Sequence, residues 1–137
     1  PILVRSMFLS KDKIVVLGPE ELLNQKKAEK ILDLPNTKET VQKQDEAFRG
    51  ERGAKLMVVN RTSGQIEKGY ELHTTPVFDG MISAYQKVYV SMSDHSLICL
   101  SDKGEDLKGL SEEEIQSYRK NAVILPVKAV NKKKKKK

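Results

Sequence analysis

One stretch of this chain occurs twice. Ser6-Met7-Phe8-Leu9-Ser10-Lys11-Asp12-Lys13-Ile14-Val15-Val16 and Gly80-Met81-Ile82-Ser83-Ala84-Tyr85-Gln86-Lys87-Val88-Tyr89-Val90 run in step at an offset of 74 residues. Met7 falls on Met81, Phe8 on Ile82, Lys13 on Lys87, and Ile14-Val15-Val16 on Val88-Tyr89-Val90. Pro1-Ile2 mirrors Pro76-Val77 if one residue is skipped. A repeat narrows the fold more than composition does. One repeat unit cannot bury its own apolar face, so units must stack on neighbours.

Each copy reads as two short strands around a polar turn, Lys11-Asp12-Lys13 in the first and Tyr85-Gln86-Lys87 in the second. The residues after each turn, Ile14 to Leu17 and Val88 to Met92, are rich in strand formers. Further strands are expected over Lys55 to Val59, over Gln65 to Leu72 and over Leu97 to Leu100. The turns Arg61-Thr62-Ser63-Gly64 and Asp102-Lys103-Gly104 punctuate them. Four antiparallel strands per unit make a propeller blade. The expected fold is therefore mainly β: about two four-stranded antiparallel β-propeller blades with a helical insertion. The offset exceeds the roughly 40–50 residues of common blade repeats, and the insertion accounts for the excess.

The layout follows. Residues 1–18 give the first two strands of blade one, 19–50 the insertion, and 51–75 the remaining strands of that blade. Residues 76–110 form the second blade, 111–131 a helix and closing segment, and 132–137 a disordered lysine tail. In the insertion, Pro19 suits a first helical position, with Glu20 and Glu21 in the positive first turn. Leu34-Pro35-Asn36 breaks that helix, and Thr37 caps a second one over Glu39 to Phe48 that Gly50 ends. Ser111 and Glu114 form a capping box for a helix over Glu112 to Lys120. Ala122 to Val130 is strand-like but carries Pro126, which suits an edge.

Charge and chemistry exclude several functions. The net charge is +6, and Lys132 to Lys137 supply all of it. A nucleic-acid binder carries its basic face on the folded part, so no specific nucleic-acid partner is expected. The tail reads first as a solvated end, and second as a contact for an acidic partner or an anionic membrane surface. No run approaches the roughly 18 apolar residues of a membrane span. Cys99 is the only cysteine, which removes any intrachain disulfide or multi-thiolate zinc site. It sits in the apolar run Leu97-Ile98-Cys99-Leu100 and is expected to be a buried structural thiol. His73 and His95 lie in connections, with no metal-binding spacing and no catalytic partner. No nucleophile elbow or phosphate loop is present. No catalytic, cofactor-binding or metal residue is assigned, and no cofactor is expected. Arg5 and Asp79 stand near equivalent repeat positions with opposite charges. They are the candidates for a channel or ligand contact, or for a charge pair between blades. Lys132, Lys133, Lys134, Lys135, Lys136 and Lys137 are the candidate partner contacts.

Lys55-Leu56-Met57-Val58-Val59-Asn60-Arg61-Thr62-Ser63-Gly64-Gln65 resembles the strand-turn-strand of quinoprotein-like (PQQ-like) β-propeller repeats. Pro76-Val77-Phe78-Asp79-Gly80-Met81, Val88-Tyr89-Val90-Ser91 and Leu97-Ile98-Cys99-Leu100 look like the next blade. Val4-Arg5-Ser6-Met7 and Gly18-Pro19-Glu20 are similar to the last blades of large bacterial proteins of this type. The resemblance covers roughly Pro1 to Ser101 outside the helices. It implies a periplasmic or extracytoplasmic setting. The family's repeat often docks a Trp on the neighbouring blade; here Lys68 stands near that place, Tyr70 is close by, and the chain has no Trp. Cofactor-binding members imply a complete ring, a calcium site and often adjacent cysteines. With one cysteine and about two blades, quinone, calcium and dehydrogenase activity are not carried over.

The leading reading is a noncatalytic binding or scaffold module belonging to a larger propeller. One alternative is the C-terminal part of a propeller enzyme whose active residues lie upstream, suggested by Pro1 in place of Met. Another is a binder of acidic partners through the lysine tail. The expected partners are other blades, from the same larger protein or from identical copies. The apolar residues Met7, Leu9, Val15, Leu56, Val58, Val77, Ile82, Val88, Val90, Leu97 and Ile98 fall on strands that require such neighbours.

Overall fold

The computed structural model describes residues 1–23, 37–103 and 106–121. Within them the chain is mainly β, with two antiparallel sheets and two helices. Sheet one contains β1 (Ser6–Leu9), β2 (Lys13–Gly18), β3 (Ala54–Asn60) and β4 (Ile66–Leu72), hydrogen-bonded in chain order. Sheet two contains β5 (Pro76–Ala84), β6 (Lys87–Met92) and β7 (Leu97–Leu100), again in chain order. Helix α1 (Thr37–Arg49) lies between β2 and β3, and α2 (Glu112–Asn121) follows β7. The second sheet has three strands among the described residues, one fewer than a four-stranded unit requires.

Register assigns every side chain a face. In sheet one, Ser6↔Leu17, Phe8↔Val15, Leu17↔Leu56 and Leu56↔Tyr70 point one way, here the front. Met7↔Val16, Leu9↔Ile14, Val16↔Met57 and Lys55↔Glu71 point the other way, the rear. In sheet two, Met81↔Val90 and Val90↔Ile98 face sheet one, while Ile82↔Tyr89, Tyr89↔Cys99 and Ser91↔Leu97 face away. The main core is the seam between the sheets: Leu17, Leu56 and Leu72 against Met81, Val90 and Met92. A second core lies behind sheet one, where Ile115 and Tyr118 of α2, with Leu110, cover Met57 and Ile66.

Local chemistry explains the elements. Ser111 and Glu114 cap α2 reciprocally: the Ser111 N–H donates to Glu114 Oε2 at 2.8 Å, and the Glu114 N–H donates to Ser111 Oγ at 3.3 Å. Gly50, at φ 87°, ends α1 with its N–H on the Ala47 carbonyl. Asn60 Oδ1 accepts the N–H groups of Thr62 and Ser63, and Gly64 takes φ 70° to close the β3–β4 turn. Tyr85 and Gln86 both have positive φ, so the two-residue β5–β6 turn is of type I′, built without its favoured Asn-Gly.

Two expectations are corrected. Glu20 is extended and bridges Ile2, so the first helix does not begin after Pro19. The rest of that expected helix, over 24–36, lies outside the described residues. The bridge arises because Pro1 to Arg5 continue along β2: the Leu3 N–H donates to the Pro19 carbonyl at 2.8 Å. Gln44 of α1 ties down the same segment; its Oε1 accepts the Leu22 and Leu23 N–H groups and its Nε2 donates to the Glu20 carbonyl. Cys99 is exposed rather than buried, because it falls on the outward face of sheet two.

The outer edge of β4 is covered by residues 108–110. The Glu71 N–H donates to the Lys108 carbonyl and the Leu110 N–H to the Gly69 carbonyl. Glu71 then lies between the ammonium groups of Lys108 and Lys55. Those two partners, Lys108 first, lower its carboxyl to about 2. A depressed carboxyl stabilises the folded state above its unfolded value, and this contribution is lost as pH falls through the folded value. Stability is thus expected to decline in part between about pH 5 and pH 2 through this group. Solvent still reaches the pair, so Glu71→Gln should cost about 1 kcal/mol at neutral pH and flatten that decline. Urea unfolding of both proteins across this range checks it; parallel pH curves would exclude Glu71 as a source.

Candidate interaction surface

The sheets approach most closely along their first strands, and the repeat explains how. β5 carries an irregularity between Pro76↔Met92 and Met81↔Val90 that takes extra residues on its own side only. Asp79 adopts φ 55° within it, a left-handed conformation that an Asp tolerates better than most residues. The bulge turns three polar groups toward β1. The Asp79 N–H donates to the Arg5 carbonyl at 2.8 Å, and the Gly80 N–H to Ser6 Oγ at 2.9 Å. Ser6 Oγ in turn donates to the Val77 carbonyl at 3.0 Å. Ser6 is 2% exposed, and Gly80 stands at its equivalent position in the second copy.

Arg5 and Asp79 are therefore brought together, but through backbone. The Arg5 guanidinium donates to the Phe48 carbonyl at 2.9 Å and to the Pro76 carbonyl at 3.5 Å, and lies 5.9 Å from the centroid of the Phe48 ring. It caps the C-terminal end of α1, where carbonyls lack helical partners and the helix dipole favours a cation. No Arg5–Asp79 ion pair forms among the described residues; the guanidinium is engaged on carbonyls, and the Asp79 side chain is exposed. Beside it Phe78 is 85% exposed, which places an aromatic ring and a carboxylate together at the tip of the bulge. Lys132 to Lys137 and the strand-like Ala122 to Val130 lie outside the described residues.

Away from the first strands the sheets part around a cleft of about 660 Å³. Its walls are aliphatic, with Leu56, Val58, Val88 and Leu100 among them, and Tyr70 stands at one side. Gln86, Asp102, Lys103 and Asp106 form a polar rim. Such a lining accommodates apolar groups by desolvation and leaves polar selection to the rim. Tyr70 fills part of the space between the sheets.

Sequence reasoning missed one polar pair. His73 Nε2 lies 2.8 Å from Asp94 Oδ2, so the neighbour of Asp94 is His73 rather than the adjacent His95. Asp94 also accepts from the Ser96 hydroxyl and N–H, and these bonds, followed by His73, lower its carboxyl to about 2. His73 and Asp94 are exposed and belong to two different connections, β4–β5 and β6–β7, so the pair suits a clip between loops. Among the described residues, no three His, Cys, Asp or Glu side chains converge as a metal site. No helix there is long and apolar enough to cross a membrane. No family model matches the chain, and no curated protein or solved structure is similar to it.

Proposed function

We propose that the chain is a noncatalytic binding or scaffold module, made of two adjacent β-propeller blades and belonging to a larger propeller. One observation carries this reading: the first strands of two repeat-related sheets lie side by side, clasped at equivalent positions through Ser6 and the β5 bulge. Sequential antiparallel order within each sheet and face-to-face stacking between sheets also support it. Sheet two then represents a blade with three of its strands. The partner-facing surface is the tip of the β5 bulge, where Phe78 and Asp79 project beside β1. An exposed aromatic ring is a residue type enriched at interface cores, and the carboxylate beside it suits the polar rim.

The test is capture from a native extract on the immobilised chain, repeated with Phe78→Ser and Asp79→Asn. Either change is expected to reduce recovery of a specific partner by about tenfold, the effect of losing one interface anchor. No recovered partner, or equal recovery by all three proteins, counts against the reading.

A further inference from the structure

We propose that the cleft between the sheets receives an extended peptide, which adds to the free edge of β7 as a fourth strand of sheet two. The proposal goes beyond the surface at Phe78 and Asp79 and uses only the repeat and the sheet order.

The repeat locates the vacancy. Shifting by the offset of 74 residues places β1 on β5 and β2 on β6. The next strand is β3 in sheet one and β7 in sheet two, and β4 has no counterpart among the described residues. The sheets come together along their first strands, so nothing in sheet two stands opposite β4. The cleft of about 660 Å³ opens on that side: Tyr70 of β4 and Leu56 and Val58 of β3 form one wall.

The edge of β7 faces into the same space. Ile98, Cys99 and Leu100 all border the cleft. Successive side chains of a strand point to opposite faces, and Cys99 lies opposite Tyr89 on the outward one. Three consecutive residues border a single cleft where it runs along the edge of their strand. Among the described residues β7 pairs with β6 alone. Every second residue of such an edge strand turns its N–H and C=O away from the sheet, where an incoming chain can pair with them. The outer edge of β4 offers no such site, because residues 108–110 cover it.

The surroundings define the occupant. Free main-chain groups select an extended backbone, and pockets beside them select its alternate side chains. The aliphatic wall of sheet one therefore takes every second side chain of the peptide. At the lip, Asp102 and Asp106 outnumber Lys103, which favours a positive charge at one end of the peptide. The occupant is a short extended segment, aliphatic at alternate positions, with a lysine or arginine at one end.

Fluorescence anisotropy on the intact chain tests this with a labelled Val-Thr-Val-Thr-Val-Lys peptide. Saturable binding is expected with a midpoint on the order of 100 µM, weaker than full-size interfaces because the strand is short. The same peptide N-methylated along its backbone should bind at least tenfold more weakly, since it cannot complete the ladder. Val58→Lys, which puts a charge in the cleft wall, should also weaken binding at least tenfold. The exposed double change Asp102→Asn and Asp106→Asn leaves the core untouched and should weaken it about threefold, with no effect on a peptide ending in Gln. Hydrogen exchange should show amides of β7 slowing when the peptide is bound, while those of β4 do not change. Absence of saturable binding overturns the proposal. Equal binding of the N-methylated peptide also overturns it, because the cleft then takes an apolar ligand without strand pairing. So does full protection of the β7 amides in the free chain, which means that the edge is already paired. None of these results alters the partner capture expected at Phe78 and Asp79, so the two readings fail separately.

Discussion

Gly18→Ala is expected to destabilise the chain by about 3 kcal/mol, lowering the melting temperature by roughly 10 °C. The register between the N-terminal segment and β2 slips by one residue between Ser6↔Leu17 and Ile2↔Glu20. This bulge drives the Leu3 carbonyl over Gly18. A Cβ there would overlap the Leu3 oxygen and stand 2.8 Å from its carbonyl carbon and 3.2 Å from the Arg5 nitrogen. All of these are backbone atoms, so no side-chain rotation relieves the contact. Moving the segment aside breaks Leu3 N–H to Pro19 and Arg5 N–H to Leu17. It also displaces Arg5 and Ser6, which hold α1 and β5. Removing a glycine from the unfolded chain returns only about 0.5–1 kcal/mol. Gly64 is the comparison: its space is open, so Gly64→Ala carries only the strain of its φ of 70°. Equal melting temperatures for the two variants would mean that the Leu3 overlap relaxes freely.

The strands were legible because the repeat and the turn residues reinforce each other. The apolar residues of those strands showed that they need neighbours, and Met7, Leu9, Ile82 and Leu97 among them remain exposed; which face each one takes was not legible. What the sequence could not supply was the offset between facing strands. Cys99 sits in an apolar run, and only its pairing with Tyr89 puts it on the outward face. Glu20 follows a proline with good helix-start chemistry, yet a strand ladder from Pro1 to Arg5 claims its backbone first, because residues far apart in sequence made the better set of hydrogen bonds. Repeat equivalence suggested a charge pair between Arg5 and Asp79, whereas the two residues meet only through their backbones. The nature of the contact was not legible, since it depends on a β5 bulge that turns an amide rather than a carboxylate toward Arg5. His73 and Asp94 belong to different turns, and nothing local signals their approach.

Ser6→Ala should cost about 2 kcal/mol, more than its size suggests. One hydroxyl serves both sheets: it accepts the Gly80 N–H and donates to the Val77 carbonyl while fully enclosed. Alanine removes both bonds and leaves a part-buried donor and acceptor without their partner. Leaving such groups unsatisfied costs more than a typical exposed hydrogen bond contributes. The loss falls on the seam and not inside either sheet. The β1–β2 ladder and the β5–β6 ladder keep their own registers, so the two sheets are expected to uncouple before either one frays. Hydrogen exchange reads this directly. In the wild type, the Gly80 and Asp79 amides should exchange with the protection of the global fold; in Ser6→Ala they should exchange at least tenfold faster, while amides of the central strands β2 and β3 slow or quicken only with overall stability. Uniform acceleration across all strands would mean that the whole fold is weakened and that the seam does not uncouple first. A change below about 0.5 kcal/mol, with Gly80 still protected, would show that the β5 bulge holds its place without the serine.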